Sequence, residues 1–257
     1  MKAPQFPASS AIVYDGPSRI NGERIVGIVT GIHGDSDNPK TGVMAQLYIL
    51  DARMHPMEAI KTGADYAICG DCKLRGDATT RRACYVTMNA PGSIYRAFVR
   101  GSYQRMDPHT VGAYLASQRL PIRFGAYGDP SALPLFVLRD LMQGKVTGYT
   151  HQWNDATFAD YRQTVMASVD TVAEAQTAQA AGWRTFRTRF ADDPLMPGEI
   201  ACPASAEMGY RTVCADCTLC DGSRGSDDRR KNIAIIVHGS NAGNYAKLVR
   251  RDGTAVL

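Results

Sequence analysis

The sequence has little that would place it in a membrane, outside the cell or in a repeat array. No stretch of its 257 residues approaches the roughly 20 consecutive apolar side chains that a membrane-spanning helix needs, so no membrane partner is expected. The opening "MKAPQFPASSAIVYDGP" has no continuous apolar run and is not expected to act as a signal peptide. Charge of one sign is also scarce. With 29 Lys plus Arg against 25 Asp plus Glu, the formal net charge of +4 permits contact with phosphates without demanding it. The glycines of "TGIHGD" lack the spacing and the following helix of a phosphate-binding loop, which discards that route to nucleotide binding. Cysteine is sparse, seven in all. That odd number fits metal or redox use in a reducing, cytoplasmic setting better than a disulfide framework.

What is present alternates. The first 52 residues read as β-rich: "RIVGIVTGIHG" and "VMAQLYILDA" are apolar runs either side of the polar "DSDNPKTG", as in a hairpin or two neighbouring strands. Beyond them, "HPMEAIKTGAD" is a short helix, "YAIC" the end of a strand, and "SIYRAFVRGSY" and "HTVGAYLASQR" helices. Strand patterns follow in "IRFGAY", "VTGYTHQW", "TVMASVD", "WRTFRTRF", "GEIACPAS" and "NIAIIVHG". Between and after them lie the helices "SALPLFVLRDLMQG", with Ser131 as its N-cap, "TVAEAQTAQAAG", closed by Gly182, and "NAGNYAKLVRR". Short strands alternating with helices predict an α/β protein with a parallel sheet, doubly wound or curled into a barrel. The expected division is a β extension over 1–52 and an α/β barrel-like body over 53–257. In such sheets ligands gather at the carboxyl ends of strands, which here carry Asp129, His151, Asp170, Cys202 and His238.

The cysteines fall into two groups. Cys214, Cys217 and Cys220 form C-x2-C-x2-C, with Cys202 in a remote Cys-Pro, a ligand set like that of a ferredoxin-type [4Fe–4S] cluster. Zinc held by these cysteines, or by three of them and His238, is the other chemistry open to the group. Cys69, Cys72 and Cys84 make a set of three. They form either a zinc site completed by His33, His55 or His109, or a cluster with one open iron able to bind a substrate or cofactor.

At "CYV" (84–86) and "RFGAYGDPSALP" (123–134) the chain resembles the radical S-adenosylmethionine enzymes. In that superfamily a three-cysteine cluster loop precedes the second strand, and the last cysteine is often followed by an aromatic residue. The open iron chelates S-adenosylmethionine, and a Gly-Gly-Glu-like turn at a strand end binds the cofactor's amino group. Here Tyr85 follows Cys84, and Gly128, Asp129 and Pro130 stand in the place of that turn. Gly125, Gly128 and Asp129 are the cofactor-binding residues that the resemblance implies. "VMASVD" resembles the S-(I/L)-D strand of such barrels, and Cys202, Cys214, Cys217 and Cys220 an auxiliary cluster. The likeness spans residues 65–190, and its cysteine spacing is C-x2-C-x11-C where the superfamily has C-x3-C-x2-C. It implies a partial or complete (β/α) TIM-like barrel, one or two [4Fe–4S] clusters and S-adenosylmethionine as cofactor. A looser likeness to phage-encoded proteins points to nucleic-acid modification.

Two other classes compete. The chain is also similar to the zinc-containing guanine transglycosylases. That likeness makes Cys214, Cys217, Cys220 and His238 the zinc ligands, and Asp129 and Asp170 the nucleophile and acid/base. The third class is a non-enzymatic, metal-stapled nucleic-acid-binding protein. Arg75, Arg81, Arg82, Arg96, Arg100 and Arg105 surround the first cysteine group. They are either a solvated face or, with Tyr85, Tyr95 and Tyr103, a surface on which bases stack. His151 is a candidate acid/base beside Asp129 and Asp170, and "DRRK" at 228–231 reads as a charged loop.

Overall fold

The computed structural model describes residue 6 and residues 8–35, 39–76 and 81–251. Parts of the "DSDNPKTG" loop and of the spacer "KLRGDATTRRA" therefore lie outside the described residues. Strands β1 (Ser10–Pro17), β2 (Arg24–Thr30) and β3 (Ala45–Asp51) form an antiparallel meander, with a polar turn at 18–23 between the first two and a longer connection over 31–44 before the third. Strand β3 is buried along nearly its whole length, as a strand covered on both faces should be. It pairs in parallel with β5 (Ile122–Tyr127), so the front segment and the body share one sheet. A two-residue strand, β4 (Gln104–Arg105), extends the meander at the far edge beside β1.

From β5 the parallel array continues through β6 (Val146–Thr150), β7 (Met166–Val169) and β8 (Thr185–Arg189). It ends with β10 (Asn232–Ile236) and, outermost, β9 (Glu199–Ala201). The ten strands run in the order β4-β1-β2-β3-β5-β6-β7-β8-β10-β9, a mostly parallel α/β sheet. Eight helices accompany the described strands: α1 (Pro56–Thr62), α2 (Tyr66–Cys69), α3 (Asn89–Val99), α4 (Pro108–Ser117), α5 (Leu135–Leu141), α6 (Val172–Ala180), α7 (Cys214–Cys217) and α8 (Ala242–Arg251). Among the described residues none is long and apolar enough to cross a membrane.

Local chemistry explains several boundaries. Asp107 caps α4 by accepting from Thr110 N, with Pro108 at the first helical position. Thr171 and Glu174 form a capping box on α6. Two expectations fail. "YAIC" is the helical turn α2, in which the amides of Ile68 and Cys69 both donate to Asp65 O, and so short an apolar run has no periodicity to distinguish turn from strand. Ser131 is not the cap of α5. Pro134 forces Leu133 into an extended conformation (φ −84°, ψ 151°), so the helix starts only at Leu135, and Ser131 lies in a separate 3₁₀ turn capped by Asp129.

The main core joins Ile25, Leu47, Ile49, Phe124, Val137 and Val169. A second apolar cluster surrounds Met166, Cys202, Ala204, Ile233 and Ile235. Helices α4 and α5 meet at Gly112, where an added Cβ would stand 2.3 Å from the backbone oxygen of Asp140. Gly112→Ala is therefore expected to lower stability by about 1–3 kcal/mol through overpacking. Urea unfolding should show it against Gly144→Ala, whose Cβ would meet nothing nearer than 3.5 Å.

Candidate metal centres and the strand-end site

The first cysteine group lies between β3 and β5. Cys69 closes α2, and the chain then turns through Gly70 at φ 51°, where a Cβ would stand 2.5 Å from Gln152 Oε1. Gln152, just past β6, clamps this loop: its Nε2 donates to Cys69 O at 3.2 Å and its Oε1 accepts from Asp71 N at 3.3 Å. The long spacer folds back, since the amides of Ala83 and Cys84 both donate to Leu74 O, at 2.9 and 2.8 Å. Helix α8 completes the hold. Asn241 Nδ2 donates to Cys84 O at 2.7 Å and Asn244 Nδ2 to Arg82 O at 3.0 Å.

The three thiols are near enough to act on one another. Burial pushes the Cys69 thiol well up, and Cys72, Asp65 and Cys84 add to the effect. Burial likewise raises Cys84, with Cys72 reinforcing and Arg82 opposing. Their surroundings come from three consecutive strand ends. The Tyr127 hydroxyl, at the end of β5, is buried without a hydrogen-bond partner, and so is His151 Nε2, just past β6. Burial alone would lower the His151 pKa. Its hydrogen bond to Cys72 and the charges of Cys72, Asp129 and Asp170 prevail and raise it to about 9. Beyond β7, Asp170 accepts from Tyr245 OH at 3.1 Å and lies 3.5 Å from Lys73 Nζ. Burial raises its pKa against the opposing Lys73 and His151 charges.

The structure thus brings Asp129, His151 and Asp170 together beside Cys69, Cys72 and Cys84. Asp129, however, has a structural occupation. One carboxylate oxygen accepts from Ser131 N and Oγ at 3.0 and 2.8 Å, and the other from His151 N at 2.7 Å, stitching β5 to β6. Gly125 and Gly128 have one too. Both have positive φ, and a Cβ on Gly128 would overlap Ile49 at 2.8 Å while one on Gly125 would overlap Gly128 O at 2.7 Å. None of the three histidines expected near this group is there. His33 bonds Phe6 O, His55 caps α1 and His109 is exposed on α4; the histidine beside Cys72 is His151.

The second group is assembled from distant segments. Cys202 follows β9, its amide held by Ala234 O at 2.8 Å, while Cys214 and Cys217 begin and end α7. Cys220 O accepts from Gly148 N of β6 at 2.9 Å. All four cysteines line one small cavity with Thr147, Tyr149 and Ile233. Burial raises the thiols of Cys202, Cys214 and Cys220, and Cys217 adds to each. His238 is not among the lining residues. Its Nδ1 bonds Ile236 O at 2.8 Å and its Nε2 contacts Lys40, so it is Cys202, not His238, that stands with the other three cysteines. Among the described residues no three His, Cys, Asp or Glu side chains are grouped to hold a single ion.

The "DRRK" loop is more than a charged loop: Arg230 pairs with Asp228 at 2.6 Å and with Asp221, which also holds Arg184 at 3.0 Å. The basic residues near the first group do not form one free stripe, since Arg75 pairs with Asp65 at 3.0 Å and Arg105 with Asp15. Sequence reasoning missed Gln152, Tyr127, Lys73, Asn241 and Tyr245. Tyr127 and Gln152 adjoin recognised strand ends and were within reach of the period-two pattern. Asn241 contacts Cys84 across 157 positions of sequence, with no local signal. Compared with known proteins, the chain matches no family model, no curated protein sequence and no solved structure.

Proposed function

We propose that the protein is a cytoplasmic iron–sulfur enzyme of the radical S-adenosylmethionine type, on a partial (β/α) barrel, acting on a nucleic-acid or nucleobase substrate. In this reading Cys69, Cys72 and Cys84 hold a [4Fe–4S] cluster with an open iron, and Cys202, Cys214, Cys217 and Cys220 a second cluster. The observation that carries it is the meeting of three half-buried cysteines of one loop with the ends of consecutive parallel strands, which bring a histidine nitrogen and a tyrosine hydroxyl that have no partner. The chain order supports it as well: strand β3, cysteine loop, then β5 running into Gly128-Asp129-Pro130.

The donor set fits the group: three soft sulfurs, of which burial raises the Cys69 and Cys84 thiols, so that metal binding there would displace protons. When bound, such a cluster supplies an electron and an open iron that chelates the amino and carboxylate groups of S-adenosylmethionine. Gln152 and Asn241 hold the ligand loops, and Arg82 offsets thiolate charge at Cys69 and Cys84. Tyr127 and His151 offer the unspent hydrogen-bonding atoms that a bound cofactor or substrate can use.

One observation favours a second reading. Cys72 is among the groups that raise the His151 pKa, so a histidine stands near the three thiols as a candidate fourth donor for zinc, as in a nucleobase-exchange enzyme using Asp129 and Asp170. Metal analysis and electron paramagnetic resonance of anaerobically purified protein decide between them. Brown protein with iron and sulfide in equal amounts is expected, with a spectrum on reduction that changes when S-adenosylmethionine is added. Colourless, zinc-loaded protein that stays silent after iron–sulfur reconstitution would overturn the radical reading.

A further inference from the structure

The pairing register places Gln46 beside Arg123, Arg123 beside Thr147, and Tyr48 beside Tyr127. Side chains alternate along a strand with period two, so Tyr48, Arg123, Tyr127, Thr147 and Tyr149 share one face of the sheet. Thr147 and Tyr149 line the cavity of the second cysteine group, and Tyr127 stands beside the first. Arg123 therefore stands between the two.

The other inward arginines of the sheet are neutralised. Arg184 pairs with Asp221, Arg187 with Glu199 and Arg189 with Glu207. Arg123 is different: it is half-buried, its guanidinium donates to the Tyr85 hydroxyl, and among the described residues no carboxylate forms an ion pair with it. Withdrawing a guanidinium from water without an anion is costly, and its planar fork of donors matches a phosphate or carboxylate. Beside it, Tyr149 packs against Phe186 with ring centroids 4.2 Å apart and planes tilted by 33°, an aromatic surface that a planar group can contact.

We propose that Arg123 binds an oxyanion of the substrate, a phosphate or a carboxylate carried by a planar ring that rests against Tyr149 and Phe186. This rests on the reading of the face as the active one and adds the substrate's chemistry to it. The rival role for Arg123 is simply to offset thiolate charge at Cys214.

Calorimetric titration of the protein as purified, with its metals, separates the two roles. The probes are phenyl phosphate, benzoate and uncharged benzyl alcohol. At least one of the anions is expected to bind, and the alcohol to bind at least tenfold more weakly. Whichever anion binds more tightly identifies the group as phosphate or carboxylate. Arg123→Met should weaken anion binding at least tenfold. Arg123→Lys keeps the charge beside Cys214 and loses the fork; it should retain the metal and the melting temperature yet bind the anion several-fold more weakly. The proposal is overturned if neither anion binds the unaltered protein. Binding that is equal in Arg123→Lys and the unaltered protein, with Arg123→Met changing only the metal content, overturns it in favour of the charge-offset role. Metal content measured in the same samples keeps failure of this proposal distinct from failure of the iron–sulfur reading.

Discussion

Glu199→Gln is expected to destabilise the protein by about 3–5 kcal/mol, the usual cost of stranding one member of a buried ion pair. Arg187 Nε and Nη2 donate to the two oxygens of Glu199 at 2.9 and 2.7 Å, and both side chains are almost wholly buried, at 2% and 0% exposure. The bond reaches from β8 across β10 to the edge strand β9, and Glu199 also accepts from Met196 N at 2.8 Å. Loss of the carboxylate leaves a charged guanidinium facing a neutral amide where water cannot compensate. The double variant Arg187→Met with Glu199→Leu should fall less than the sum of the single losses, because it removes both charges. The contrast is Arg24→Met: Arg24 is exposed, and Asp15 keeps its second partner Arg105, so this substitution should cost far less. Urea midpoints measure all of these, and a shift equivalent to less than about 1 kcal/mol for Glu199→Gln would refute the expectation. Cys202 follows Glu199 by three positions, so the same substitution should also loosen the second cysteine group.

Much of the fold was legible in the sequence where periodicity is a local property. "IRFGAY" became β5 residue for residue, and the runs around "RIVGIVT" and "AQLYILD" became neighbouring antiparallel strands. What stayed hidden depends on partners far away in the chain. The "YAIC" turn follows from Gly63 ending α1 at φ 77° and from the amides that Asp65 O accepts, which no alternation pattern encodes. The strand-end site was visible as a list of polar residues, because parallel strands put their carboxyl ends on one side. The roles were less visible. Asp129 stood out as a candidate catalytic and cofactor-binding residue, and the sequence did not show that it also caps a turn and ties β5 to β6 through three hydrogen bonds. The partition of the cysteines was clear from spacing, but that Cys202 and not His238 stands beside the other three depends on the pairing of β9 with β10.

Cys217→Ala should have the other large effect, because the segment that carries it has little regular structure of its own. From Cys202 to Lys231 the chain has no strand and only two short helical turns, Ala206–Met208 and α7. A stretch of that length without regular structure is unusual in a compact domain unless something staples it. Backbone anchors exist: Ala215 N donates to Thr41 O, Gly148 N to Cys220 O, and Arg184 to the carbonyls of Leu219, Asp221 and Lys231. They hold the second half of the segment, and the four cysteines around the cavity join it to Cys202 at the segment's start. If metal joins those sulfurs, its binding energy is part of the folding energy. Removing one of the four ligands should then release the metal and cost at least about 4 kcal/mol, the range that loss of a structural metal enters. The first cysteine group, held separately by Gln152, Leu74 and Asn241, should keep its own metal. Hydrogen exchange should accordingly speed up over residues 203–231 and stay unchanged over 66–72, with metal content per chain falling by the share of one centre. Protein that retains all its metal and its urea midpoint after Cys217→Ala would show that the four thiols line an apolar cavity and nothing more.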